Sequence, residues 1–407
     1  MPNTTQDPSG GASGSTATPT PRVAVLLAER ERFDGSGGAV ATWVKEVYTR
    51  WDGEAAVFSP ALTRSFAGDL YTAPAPWYVA YDAAVTLASK AVGALIRRSW
   101  WSVYTRAPRA REMWLASVIR RVVSYDVVHI HNRPQFVVPL RTAGFTGRIV
   151  LHMHNDLSAY VTKDGFAALV AAVDDIAFCS RYLMDKAVGD FGDLPGSVLY
   201  NGVAAPGDPA DAPRDPLRTV FAGRLTEGKG VDRAVAICAE LNSRGIACTL
   251  DIYGATSSGT VNGATPFSRQ LDELVAETNA AHGARTVQVR GPIDHATLLT
   301  EMRGASYLLY PCQWEEPFGM VVVEAMGVGT VPVASRVGGI PEIVDSGSTG
   351  VLVEDFTSVT GFVDVVQELV GDPERVAALS AAGVVSAAQK FSWQSIADDL
   401  DALLRRD

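Results

Sequence analysis

The chain has 407 residues, a length that suits two domains of ordinary size and argues against a single small core. With 47% hydrophobic and 20% charged residues, 37 Gly and 22 Pro, the composition is globular and excludes collagen, coiled coil and wholesale disorder. The net charge of −10 means that a nucleic-acid binder would need a strongly local basic surface, and the four scattered cysteines contain no C-x-x-C pair, which fits free thiols and a reducing, cytoplasmic setting.

Residues 1–20 hold no Lys or Arg and no apolar stretch, so they lack the parts of a secretory signal and read as a disordered tail. From Arg22 onward, short β-rich runs alternate with helical stretches: VAVLLA (23–28), AAVFS (55–59), DVVHIH (126–131), RIVLHMH (148–154) and DIAFCS (175–180). That alternation is βαβ grammar and predicts a parallel sheet covered by helices over residues 21–204. Trp77 to Ile96 is the nearest approach to a membrane span, but Asp82 and Lys90 interrupt it. Pro206, Pro209, Pro213 and Pro216 suit neither a helix nor a central strand, which places an interdomain linker at 205–217. The grammar restarts with RTVFAG (218–223) and continues through CTLDIYG, TVQVRG, SYLLYP, TVPVAS and GVLVE (350–354), so a second α/β domain is expected over 218–390. The fold class is therefore two Rossmann-like doubly wound domains, whose strand carboxyl ends would face one cleft.

Two clusters carry chemistry. In EEPFGMVVVEAMGVG, Glu316 and Glu324 are separated by seven residues, with a helix expected from about Gly319 to Met326 and Pro317 at its start. A carboxylate in so apolar a helix needs donors, and a ribose diol supplies two hydroxyls in fixed geometry. The amides of Phe318, Gly319 and Met320 at the helix start suit an anion or a sugar oxygen. In FAGRLTEGKG (221–230), Arg224 and Lys229 converge at a strand's carboxyl end, a fork and a point charge suited to a diphosphate. Fixed cations there stabilise the charge that builds on a departing glycosyl diphosphate. Taken singly, each cluster also fits an ordinary surface: helix-terminal acids in one case, solvated turn charges in the other.

Together they resemble the retaining family 4 glycosyltransferases of GT-B architecture. The matching elements are G-R-L-x-x-x-K-G at Gly223–Gly230, E-x7-E at Glu316–Glu324 and G-G-I-P-E at Gly338–Glu342. The N-terminal half agrees through the turn DGSGGAVATWV (34–44), the DVVHIH strand, a histidine ending RIVLHMH, and YNGV (200–203); its HIHNRP and LHMHND strings are most similar to bacterial spore-coat and surface-polysaccharide members. The resemblance implies that Arg224 and Lys229 hold the donor diphosphate, Glu324 the ribose, and Glu316 with the Phe318 and Gly319 backbone the transferred sugar. It also implies that the turn of Arg290, Gly291 and Ile293 brackets the base, and that Gly37 and Gly38 let the first loop approach the donor or the acceptor. His154 matches the family's N-domain histidine that touches the sugar, with His152 its rival on the same strand face; His131, Asn132 and Asp156 are expected on the acceptor side.

The expected reaction moves a hexosyl-type group from a nucleotide-diphosphate sugar, with uridine favoured, to an acceptor hydroxyl of a surface or coat glycan, a lipid-linked saccharide or a natural product. Neither a base for inversion nor a carboxylate nucleophile stands out. Front-face substitution, which needs no metal and no cofactor, is what the resemblance implies. Asp174–Asp175 and Asp398–Asp399 are not a D-x-D metal motif and read as solvated acids. Alternatives are a nucleotide-sugar epimerase, a phosphorylase, or a non-catalytic sugar-binding scaffold. Residues 97–121 carry seven arginines against one acid, with Trp77, Trp100, Trp101 and Trp114 in or beside them, which fits an anionic membrane surface at the inner face, the donor, or a solvated face packed on the core. The last segment, 391–407, is expected to return as a helix to the N-terminal domain.

Overall fold

A computed structural model describes residues 20–29, 31–36, 38–95, 110–204, 214–256 and 265–406. The N-terminal sheet contains β1 (Val23–Leu26), β2 (Ala55–Phe58), β3 (Val127–His131), β4 (Arg148–Met153), β5 (Asp175–Phe178) and β6 (Gly196–Val198). The C-terminal sheet contains β7 (Asp215–Ala222), β8 (Thr249–Tyr253), β9 (Val287–Gly291), β10 (Ala305–Tyr310), β11 (Val331–Ser335) and β12 (Val351–Val353). Strand order is β2-β1-β3-β4-β5-β6 in one sheet and β9-β8-β7-β10-β11-β12 in the other, every neighbouring pair parallel. Both are Rossmann-like. The order reverses between β1 and β3 and between β7 and β10, and at such switch points the exit loops diverge and leave a crevice.

β7 begins at Asp215, so the Pro-rich linker is shorter at its end than its composition suggests. Pro216 lies among the exposed first residues of the strand, where a missing N–H is tolerated. Residues 205–213 lie outside the described residues, as do residues 1–19.

The two lobes are joined through specific contacts. Glu342 of the C-terminal lobe accepts the amides of Arg181 and Tyr182 at 2.7 Å each, and the Tyr200 hydroxyl at 3.0 Å. A carboxylate there satisfies the free N–H groups of the helix Arg181–Phe191 and its dipole. Helix α1 (Ala39–Tyr48) covers the N-terminal sheet beside the last helix of the chain, Trp393–Leu404. That last helix buries Trp393, Ile396, Leu400 and Leu404 in one apolar cluster with Val23, Val25 and Trp43, and Trp51 donates its indole N–H to Asp401 at 2.9 Å.

Helix α2 (Pro76–Leu95) carries Asp82 and Lys90, and no helix of the described residues is long and apolar enough to cross a membrane. All four cysteines are buried and free. Asp175 corrects the reading of the Asp174–Asp175 pair as solvated: it opens a central strand, is buried, and is held by Ser197, Arg148 and Arg406. Burial raises its pKa despite those partners.

Candidate active site

The C-terminal half of the site is built where β7 and β10 diverge. After β7 the chain passes Gly223 and Arg224 and makes a short turn, Glu227–Lys229, closed by Gly230 at φ +74°. A Cβ on Gly230 would sit 1.9 Å from the Pro311 carbonyl oxygen, so glycine is what lets the two exit loops touch. That contact fixes Lys229 against the loop after β10. Its Nζ donates to Tyr310 Oη at 2.9 Å and pairs with Glu316. Arg224 is exposed, its guanidinium 5.3 Å from the Trp314 ring, and among the described residues no carboxylate is seen to pair with it.

Glu316 is 8% exposed. Its Oε2 accepts from Lys229, from the Tyr310 hydroxyl at 3.0 Å and from Trp314 Nε1 at 2.8 Å. A buried carboxylate is tolerable with donors of this kind. The Gly338–Gly339 pair supports it from behind. Gly338, at φ +58°, would place a Cβ 2.2 Å from the Glu316 carbonyl oxygen, and Gly339 donates to that oxygen at 2.8 Å.

Helix α3 (Met320–Gly327) follows, with Gly319 at φ +111° as a cap that offers no side-chain acceptor, so its first N–H groups are free for a ligand. Pro317 therefore stands ahead of the helix instead of opening it. Glu324 lies on the cavity side of α3, only 12% of its side chain exposed, and meets His295 Nε2 at 2.9 Å. That hydrogen bond raises the His295 pKa above its ordinary value.

Facing these groups across a cavity of about 590 Å³ are Gly38, Glu31, His154, Asn155 and Asn201 of the N-terminal lobe. Arg224, Lys229, Glu316, Phe318, Gly319, Met320 and Glu324 line the same space. A second recess of about 510 Å³ shares Gly223, Arg224 and Leu298 with the first and is walled by Tyr253, Gly254, Pro292 and Ile293. The burial of Glu31 raises its carboxyl pKa, and its Oε1 accepts the Gly38 amide at 3.3 Å. His154 has a pKa lowered by burial to about 4.

Several expected residues are placed elsewhere. Arg290 turns away from the recess and pairs with Asp251 at 2.7 Å, because a buried aspartate on β8 draws both Arg290 and Arg218. Gly291 contributes only backbone, its carbonyl accepting the Gly254 amide at 3.0 Å. His131 does not reach the acceptor side: its ring is 1% exposed and its Nδ1 lies 3.0 Å from His154 Nε2. Asn132, at φ +53°, uses its Oδ1 to accept the His154 amide at 2.8 Å, so it positions the loop instead of a substrate. Asp156 caps the turn after β4 through Ser158 at 2.9 Å and pairs with Lys186 at 3.4 Å, which leaves it no role in the cavity wall. His152, the rival to His154, is fully buried.

Gly37 lies outside the described residues, as do Arg97, Arg98, Trp100, Trp101, Arg106 and Arg109. Of the basic, aromatic segment that is described, Trp114 is a core residue donating to the Leu27 carbonyl at 3.0 Å, and Arg121 lies over the Phe58 ring. Glu31, Tyr310, Trp314, Asn201 and His295 are site residues that motif reasoning passed over. Tyr310 and Trp314 both precede the first acid of E-x7-E within six residues, and Asn201 falls inside YNGV, so their signal is position beside a recognised motif.

Two Rossmann-like sheets with their switch points on one cavity define the GT-B class of glycosyltransferase fold. The solved structure of Anabaena Alr3699/HepE in complex with UDP-glucose shares that fold, with a TM-score of 0.66 at 17% identity over 94% of this chain and 99% of the other. Residues 209–384 match the family described as glycosyl transferases group 1, and the chain is a glycosyltransferase enzyme. It is 28% identical over 324 residues to D-inositol 3-phosphate glycosyltransferase 1 of Catenulispora acidiphila, spanning 73% of this chain and 76% of that protein. It is 23% identical over 296 residues to spore coat protein SA of Bacillus subtilis, spanning 68% and 77%.

Proposed function

We propose that this enzyme transfers a hexosyl-type group from a nucleotide-diphosphate sugar, UDP-sugar foremost, to a hydroxyl of a saccharide or polyol acceptor with retention at the anomeric carbon. The observation that carries this reading is the meeting of Arg224, Lys229 and the open N-terminus of α3 at one cavity that also holds Glu316 and Glu324. Arg224 and Lys229 take the diphosphate and stabilise its negative charge as the sugar departs. The Phe318, Gly319 and Met320 amides and Glu316 hold the sugar hydroxyls, Glu324 takes the ribose diol once His295 is displaced, and the recess at Ile293 receives the base. His154 closes the sugar from the opposite lobe. The departing phosphate oxygen accepts the acceptor's proton on the face it leaves, so the scheme asks for no metal. Supporting that route, Arg224 and Lys229 line the cavity as fixed cations that can hold the charge of a departing diphosphate. Lobe closure excludes water and so suppresses hydrolysis.

The acceptor lobe also carries an apolar surface. On α2, Trp77, Leu87 and Leu95 are 46%, 71% and 82% exposed, and the chain that follows is rich in arginine, which supports peripheral contact with an anionic membrane. Co-sedimentation with vesicles containing phosphatidylserine tests this contact, and equal binding to neutral vesicles argues against it.

The reaction is tested by incubating the enzyme with a panel of nucleotide sugars and acceptors in the presence of EDTA, followed by NMR of the product's anomeric proton. A retained configuration with EDTA present supports the proposal. An inverted product, a rearranged nucleotide sugar made without acceptor, or dependence on free phosphate overturns it.

A further inference from the structure

Four of the chain's six histidines occupy one spot. β3 and β4 are parallel neighbours with His131 opposite His152, and side chains alternate along a strand, so His129, His131, His152 and His154 share a face. The Trp43 indole of α1 covers all four, with ring centroids 4.8 to 5.9 Å away.

His129, His131 and His152 are each 0–1% exposed, and each has one ring nitrogen engaged outward. His129 Nδ1 lies 2.7 Å from Tyr48 Oη, His131 Nδ1 lies 3.0 Å from His154 Nε2, and His152 Nε2 lies 3.2 Å from the Leu199 carbonyl oxygen. The other three nitrogens, Nε2, Nε2 and Nδ1 respectively, are buried and have no partner. One nitrogen from each ring lies within 4.8 Å of the other two.

A carbonyl only accepts, so His152 must carry its proton on Nε2 and leave Nδ1 bare. In the tautomer in which His131 Nδ1–H donates to His154 Nε2, the Nε2 of His131 is bare as well. In the tautomer in which His129 Nδ1–H donates to Tyr48 Oη, the outward bonds are made and three unprotonated, unpartnered nitrogens are buried in the cluster. A water has two O–H donors for three acceptors. Buried unpaired groups of this kind call for a ligand.

We infer that His129, His131 and His152 form a binding site for one late first-row transition-metal ion beneath the acceptor side of the cleft. Imidazole sets suit such ions, and the outward bonds are those that orient metal-bound histidines. Bringing nitrogens no more than 4.8 Å apart onto bonds of about 2.0–2.1 Å takes inward ring shifts below about 1 Å. The ion stays clear of the diphosphate. It acts as a structural element that holds His131 as a fixed donor to His154, so its presence does not bear on how transfer proceeds.

The test uses the full chain expressed with added ZnCl2, CoCl2 or CuSO4, desalted, and analysed by elemental mass spectrometry. About one equivalent of one of these metals is expected, with X-ray absorption at that metal's edge showing about three imidazole ligands. The double variant H282Q/H295Q keeps the metal, and H129Q and H152Q lose it. If those last variants do not fold, the imidazole count of the wild-type protein decides alone. Less than about 0.1 equivalent of all three metals, a ligand shell without three imidazoles, or metal retained by folded H129Q or H152Q overturns the site.

Discussion

In the ligand-free site Lys229 is held by Glu316, so an incoming diphosphate competes with a carboxylate for its own counter-charge. Glu316→Gln removes that competition with little change in shape. A diphosphate oxygen on the far side of Nζ would lie about 6 Å from the carboxylate, where one unit charge repels another by about 3 kcal/mol at an effective dielectric of 20. The open cavity screens part of this, leaving about 1–2 kcal/mol, or about 5–30-fold tighter binding of UDP. The same change removes a charged acceptor from the sugar hydroxyls, worth about 1.5–3 kcal/mol, so turnover falls by about 10–150-fold. Calorimetric titration with UDP and a steady-state assay on the same preparation read both effects. UDP affinity that is unchanged or weaker in Glu316→Gln refutes the reasoning, because it would mean that Lys229 does not meet the phosphates.

Nucleotide binding that takes Glu324 from His295 returns the histidine's raised pKa towards 6.5 and releases a proton. Affinity therefore rises as pH increases from about 6.5 through the raised value, and the pair's contribution to stability, present below 6.5, fades over the same window. Titrations in buffers of different ionisation enthalpy should report proton release, and uptake would contradict it. Gly338→Ala forces a Cβ into the Glu316 backbone, so activity should drop by more than about tenfold; wild-type kcat would show that the loop relaxes freely. Trp393→Ala empties a buried site between the last helix and Gly202, with an expected loss of about 3–5 kcal/mol in denaturant unfolding, and a loss under 1 kcal/mol would place that helix outside the folded core. Glu31→Gln should keep most activity and the wild-type enzyme incubated with donor should show no glycosylated form by mass spectrometry, whereas a loss of activity in the variant together with an adduct at Glu31 of the wild type would establish double displacement.

The sequence alone determined the strands and the glycine-bearing loops of the C-terminal lobe, because both rest on local chemistry. Runs such as TVPVAS and SYLLYP are too apolar to be anything but buried, and glycines at 223, 230 and 319 mark turns whose positive φ a side chain would strain. Roles that depend on what a side chain meets across space were decided by tertiary structure. Arg290 belongs to Asp251, Asp175 is buried under Ser197 and two arginines, and Glu324 is paired with His295, 29 residues away. The histidines divide the same way: alternation along β3 and β4 put four of them on one face, but only parallel pairing of the strands under Trp43 left His154 at the cleft and enclosed the other three. A strand's periodicity states which face a residue is on, and the partner that covers that face is supplied by a part of the chain with no local signature of it.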